Sequence, residues 1–590
     1  MHNETSSEKW MGILNDDEAQ GSRSASAALL GDHEGNVAGG LLKEDTRARQ
    51  KWDKRLLSWF LTRPRTLRRK LRRNPVGFIT AFLKYIILFI CILLIGTPIV
   101  APSYTRPPQH YRELEARCRG PFRQPGCANL NNEQIFIAAS LYDKDGHLVN
   151  GLWGERLLEV IHLLGDNNVF LSIYENDSGP EGAAALENLK RQLRCRYTII
   201  NDPHVPLSDF PTVTLPDDTK RVKRIAYLAE MRNRALRPLD LFDPNNNNGT
   251  IQYDKVLFLN DISFLPMEAA QLLFSTNLQS DGQTHYLTAC ASDWYTPFKF
   301  YDLYVTRDFD GFSTGLPIFP VFSNVGRGVS RAAMIAQKDA VPVQACWSGM
   351  VAMQAKYVQN MNESLPDPHF QDIGSHDINP DSPHQVTAPV RFRHEPEVFY
   401  DACECCLFVA DVATVARKAQ EQELGIYLNP YIRVAYEEST LYWVRWVQKW
   451  ERLLSIPHTI GSFFVSRPTN NPHRTVQEGD NFTEEVWVGA GDAGHWELVQ
   501  REGRNAMFCG VREFQVINPD KREGDKNWRN IKIPGGQTFH FPTEAGEAQR
   551  AGEKWDPDVY WEVRDAARAA AEKARKQKLD AYSKSSNPSK

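Results

Sequence analysis

A run of apolar residues from Phe78 to Val100 follows ten Lys and Arg residues between Lys51 and Arg73, and this pairing constrains every other part of the chain. The run has the length of a helix that crosses roughly 30 Å of hydrocarbon. Its only charge, Lys84, lies in the first third, from where the stem can snorkel to the interface. A cleaved signal peptide would start near residue 1 with a shorter apolar core, whereas 77 residues precede this one. The basic cluster Arg63, Arg65, Arg68, Arg69, Lys70, Arg72 and Arg73 flanks the N-terminal side. The positive-inside rule therefore predicts residues 1–77 as a disordered basic cytosolic tail, 78–100 as a single-pass anchor, and the remainder as lumenal. A core helix of a soluble protein is the competing reading, but core helices are rarely apolar all round beside such a charge block.

Residues 101–590 are enough for one large or two ordinary domains. The net charge of -4 is near neutral, and the basic residues before the anchor are explained by topology, so no nucleic-acid partner is implied. Of ten cysteines, nine follow Cys91: Cys118, Cys127, Cys195, Cys290, Cys346, Cys403, Cys405, Cys406 and Cys509. Cys118 and Cys127 bracket a short loop and suit a disulfide in an oxidising compartment. The CECC cluster at 403–406 lacks the spaced second pair of a zinc site, which favours buried or disulfide-linked cysteine. Sequons begin at Asn176, Asn248, Asn362 and Asn481.

Prolines in PSYTRPPQHYREL suggest an extended lumenal stem over 101–133. From Gln134 short apolar runs alternate with helical stretches: IFIAASLY, a helix near Trp153–Leu164, NVFLSIYEN, a helix near Gly182–Leu193, then RYTII. Strand, helix, strand, helix, strand predicts a parallel sheet covered by helices. The helix RIAYLAEMRNRALRPL leads to the strand KVLFLND, and further strands are expected at HYLTACAS and VPVQACWSGMVAM. The main domain is expected over 134–545, followed over 546–590 by a charged helix and polar tail.

Open α/β sheets place ligands beyond the carboxyl ends of their strands. Val256 to Leu259 would carry the chain through the sheet and deliver Asn260 and Asp261 to that edge. A carboxylate there can hold a divalent ion that also takes the two phosphates of a nucleotide diphosphate. A turn or helix cap is the plainer reading of such an Asp, and Ser263 stands where a second carboxylate would be expected. Arg232 offers forked donors to phosphate and Asn233 can read a base or sugar edge; a solvated helix face competes. Trp347, in ACWSGMVAM, could be a sugar platform or simply core. Glu404, between cysteines, would be a poorly solvated carboxylate of the kind that marks catalytic acids and nucleophiles. His376 and Asp377 form a pair suited to completing a metal site.

In this order, IFIAASLY, NVFLSIYENDSGP, RIAYLAEMRNRALRPL, KVLFLNDISF, ACASDWY, ACWSGMVAM, VRFRHEPEVF, CECCLFVADV and IYLNPYIRVAY resemble the fungal family of capsule-associated proteins and cryptococcal alpha-1,3-mannosyltransferases, glycosyltransferase family 69. The resemblance implies an α/β, GT-A-like, Rossmann-type mixed sheet flanked by helices on a type II Golgi membrane anchor. It also implies GDP-mannose as donor, a glycan acceptor, and a divalent metal, Mn2+ with Mg2+ as the alternative. Arg232 and Asn233 would serve nucleotide and phosphate, Asp261 the metal, and Asp293, Trp347 and Glu404 the sugar pocket. Cys403 stands where family members commonly have Ser. An alpha product from an alpha-linked donor means retention, with Glu404 as nucleophile or with front-face attack assisted by Asp261 and Arg232. The alternative is a catalytically silent relative that scaffolds other Golgi glycan-building enzymes.

Overall fold

The computed structural model describes residues 75–532 except 121–123, 215–219, 241–250, 361–385, 396–400, 421–424, 466, 469–470, 472, 489–494, 512 and 519–526. The expected C-terminal helix and tail, and His376 and Asp377, lie outside the described residues. The contacts divide the chain at Ser103 and Tyr104 into two units. In the first, α1 (Pro75–Val100) is one continuous helix. Its 19-residue stretch Phe82–Val100 is long and apolar enough to cross a membrane.

The second unit is built on a mixed sheet of ten strands. Its eight main strands are β1 (Ile135–Leu141), β2 (Val169–Asn176), β3 (Arg196–Asp202), β4 (Lys255–Leu259), β5 (Thr288–Thr296), β6 (Val341–Ala345), β7 (Met350–Gln354) and β8 (Ile426–Ala435). They lie in the order β3-β2-β1-β4-β7-β5-β8-β6, with strand 307–308 beyond β6 and strand 299–300 paired to β5. The first four are parallel, as a strand and helix alternation requires. Parallel pairing is interrupted at β7, which runs antiparallel to both neighbours, and resumes between β5 and β8. VPVQACWSGMVAM is therefore two strands and not one. It breaks at Cys346–Gly349, where the chain leaves the far edge and re-enters between β4 and β5.

Both faces of the sheet are covered, so its inner strands read as continuous apolar runs. Along β1 and β4, Phe136, Ala138, Val256 and Phe258 face one core with α5 (Arg224–Leu236) and α8 (Glu404–Lys418). Ile135, Ile137, Ala139, Leu257 and Leu259 face a second core with α3 (Leu152–Leu164), α4 (Gly179–Lys190) and α6 (Pro266–Ser275). The expected stem is a correction. Residues 109–117 form α2 (Gln109–Arg117), and Tyr111, Leu114, Cys118 and Ala128 belong to the second core. Those apolar side chains outweigh the prolines ahead of them.

Disulfides join Cys118 to Cys127, Cys290 to Cys346 and Cys406 to Cys509, while Cys403 and Cys405 are free and buried. Asn176 is 5 % exposed at the end of β2, so its sequon offers no accessible acceptor; Asn481 is exposed at the start of a hairpin strand. The other two sequons lie outside the described residues. After α7 (Val329–Ile335) and α8, the C-terminal part adds α9 (Glu438–Val447), a 3-10 segment at 448–454, α10 (Ser455–Phe464) and two hairpins.

Candidate active site

Strand β4 ends at Leu259 and sets Asn260 and Asp261 on the carboxyl edge of the sheet. Asn260 is pinned there: its N–H donates to Gly349 O at 2.8 Å, its carbonyl accepts from Trp153 Nε1 at 2.9 Å, and Oδ1 accepts from Trp347 Nε1 at 3.4 Å. Asp261, the next residue, is open to solvent. Its carboxyl is nonetheless enclosed enough that partial desolvation raises its pKa; Asp143 adds to the rise, and its own backbone N–H and Arg232 oppose it. One accessible carboxylate held by a rigid neighbour is what a metal bridged to a diphosphate needs from the protein.

The turn behind it is held by Asp302, which no sequence signal marked. Its Oδ2 accepts from the N–H groups of Trp347 at 3.1 Å and Ser348 at 2.9 Å. These bonds stabilise a turn in which Ser348 and Gly349 take φ of 55° and 70°. A Cβ at Gly349 would lie 2.8 Å from Ile262 Cγ2, so the glycine serves close packing under the Asp261 loop.

Arg232 reaches the same edge from α5. It lies 5.1 Å over the ring of Trp347 and 5.6 Å over that of Phe392, donates to Cys405 Sγ, and meets Glu404 Oε1 at 3.4 Å. Burial works against its charge, but its neighbours outweigh burial and raise its pKa. Because burial pushes the Cys405 thiol well up, that thiol is neutral near pH 7 and Glu404 is the effective counter-charge. Glu404 itself opens α8 and is 2 % exposed. Cys403 precedes it as N-cap, accepting from Cys406 N.

Asp293 lies within β5, 1 % exposed, and its Oδ1 has no hydrogen-bond partner. Burial, then the charges of Asp302 and Asp261, push its pKa well above the carboxylate range. Tyr301, whose N–H donates to Asp293 O at 3.0 Å, covers this carboxyl; burial and Asp293 raise its pKa.

The structure thus gathers Asp261, Arg232, Glu404 and Asp293 at one edge. Asn233 is placed otherwise: its amide donates to Phe392 O and accepts from Phe392 N, both at 2.8 Å. It is a clamp between α5 and the 390–395 segment, with neither group turned to a base or sugar. Trp347 is 3 % exposed and packs on Phe258, Phe392 and Phe408; in this conformation it supports Arg232 and presents no open face to a pyranose. Among the described residues no three His, Cys, Asp or Glu side chains cluster as a metal site. The donor set thus fits an ion held by Asp261 and completed by phosphate and water, and does not fit an all-protein cage.

A mixed α/β sheet with a carboxylate and an arginine at its strand ends offers a binding edge for a phosphorylated ligand. Residues 134–411 match the family described as Cryptococcal mannosyltransferase 1. The chain carries a domain of the cryptococcal mannosyltransferase family and is a glycosyltransferase. No curated protein matches it. Among solved structures, it is similar to "Mannosyltransferase PcManGT from Pyrobaculum calidifontis in complex with GDP-Man and Mn2+", at 10% sequence identity over 66% of this chain and 79% of that one. The TM-score of 0.24 is too low to transfer any residue correspondence.

Proposed function

We propose that the chain is a type II Golgi membrane mannosyltransferase that uses GDP-mannose and a divalent metal, Mn2+ or Mg2+, to extend a glycan with retention in alpha-1,3 linkage. The observation that carries this reading is the pairing of an accessible Asp261 with a protonated, aromatic-braced Arg232 at the same strand edge. Asp261 would hold the metal, which supplies charge for the departing diphosphate. Arg232 adds a fixed positive charge in a site partly shielded from water, where it is worth most. Glu404 orients that guanidinium, and Asp293, buried with an unpartnered Oδ1, stands beside the same edge as a polar group for the sugar. The lumenal placement rests on the apolar helix with its basic flank and on three disulfides of a kind that persist in oxidising compartments.

The second reading, a silent membrane scaffold for other glycan-building enzymes, draws on Ser263 standing where a second carboxylate would be expected and on the lack of any cluster of three metal-ligating side chains among the described residues. Purified full-length chain in detergent, assayed with GDP-mannose, mannoside acceptors and Mn2+, separates the two. Mannose transfer that stops with chelator and with Asp261→Ala supports the enzyme. A well-folded chain that neither turns over nor binds GDP-mannose calorimetrically supports the scaffold.

A further inference from the structure

Helix α9 presents apolar side chains on both sides, whereas α10, which follows the 3-10 segment, buries His458 and Ser462 and leaves its apolar side chains outside. Inward, Leu441, Val444, Val447 and His458 are buried. Outward, Trp443 and Trp446 are each 49% exposed, Ile456 70%, Ile460 54%, Phe463 81% and Phe464 77%. The rings continue along the helix, with Trp443 and Trp446 5.8 Å apart and Trp446 and Trp450 4.5 Å apart. On α10, Phe463 packs on Phe464 with ring centroids 5.7 Å apart, and large apolar side chains exposed at this density mark an interaction surface.

Where the chain enters the domain indicates what covers it. Only Ala101–Ser103 separate α1 from Tyr104, a span of about 11 Å when fully extended. Tyr104 is 3% exposed; its hydroxyl donates to Met334 O and Lys338 O, both at 3.1 Å. From the 3-10 segment, Arg452 Nη2 donates to Ile335 O at 3.1 Å, inside the same stretch. The entry point of the anchored chain and the aromatic patch thus share the end of α7. Lys338 and Lys449 are exposed beside it.

We propose that the outer face of α9–α10 lies in the interface of the bilayer that carries the anchor. Trp side chains sit at headgroup level, Ile and Phe reach the acyl boundary, and the flanking lysines meet lipid phosphate, as in interfacial amphipathic helices. This holds the catalytic domain flat against the membrane and so selects acceptors presented near its surface. The proposal rests on the membrane-anchored reading of α1, and the test separates the two.

The full chain is reconstituted in phosphatidylcholine and phosphatidylserine vesicles with a photoreactive p-benzoyl-phenylalanine replacing Phe463, Trp443 or, as a control on exposed α4, Glu187. Alkaline carbonate extraction of the same vesicles reports on the anchor. Lipid adducts at 463 and 443 and none at 187 are expected. Adducts with a second copy of the chain, or no lipid adduct at 463 while the chain resists carbonate, would overturn the docking and leave the anchor standing. If carbonate strips the chain, the anchor reading fails; lipid adducts at 463 would then still support docking, and their absence would overturn it.

Discussion

The buried arginine–glutamate pairs Arg433–Glu451 and Arg232–Glu404 differ in how completely they are satisfied. Arg433 makes a two-point contact with Glu451, with Nη2–Oε2 at 2.9 Å; its Nε donates to Pro430 O at 3.1 Å and its guanidinium lies 4.9 Å over Trp294. Both side chains are 1% exposed. Arg232 touches Glu404 at a single point, 3.4 Å, spends another N–H on a thiol, and is 14% exposed beside the accessible Asp261. A guanidinium has five N–H groups. The first arginine spends its fork on the fold, joining β8 to the segment before α10. The second forms no fork and keeps donors for an incoming phosphate.

The contrast is sharpest if Arg433 is removed. Arg433→Ala strands Glu451 in the core and should cost about 3–5 kcal/mol, read as a large drop in melting temperature or as loss of soluble protein. A variant as stable as the parent would break the comparison. Glu404→Gln should instead leave the melting temperature within a few degrees while lowering transfer by about 10²–10³-fold, the usual cost of losing one electrostatic support at the reacting charge. Steady-state turnover measures this, and unchanged turnover would return Glu404 to a structural role.

Asp302→Ala sharpens the comparison from beneath the site. It removes the Oδ2 that accepts from Trp347, Ser348 and Thr306, and leaving these buried donors unpaired should cost about 1–3 kcal/mol. The KM for donor should rise as the Asp261 loop loosens; denaturant unfolding and substrate titration read the two effects.

The smallest effect is one of pH. Asp401 is fully buried and pushed up to about 7 by that burial, with Lys223 at 3.8 Å opposing. Between about pH 4, where this group titrates when unfolded, and about 7, the folded chain keeps a proton that the unfolded chain has lost. Stability therefore falls as pH rises through that window and levels off above it. Asp401→Asn should flatten the decline in a series of thermal melts; an unaltered slope would assign it to other buried carboxyls such as Asp293.

The strands β1, β2 and β4 were legible because a strand buried on both faces is apolar along its length, as IFIAAS and VLFL are, while the edge strand β3 was legible from its place in the alternation of strands and helices. Asp261 was legible as the first carboxylate after such a strand. Asn233 looked like a ligand group because nothing local shows that Phe392, far along the chain, takes both of its polar atoms. Asp302 was invisible for the same reason: a lone Asp in YDLY carries no sign that it caps a turn at Trp347.

What the order of residues determined alone is what local periodicity and charge can state: the apolar helix with its basic flank, the parallel half of the sheet, and the carboxylate at the end of β4. The tertiary structure decided the break between β6 and β7, the packing of the supposed stem, the pairing of Cys290 with Cys346 and of Cys406 with Cys509, and which of two buried arginines remains open to a ligand. Those outcomes depend on contacts between residues distant in sequence. Burial and partnership, unlike helix or strand period, are properties of the assembled fold.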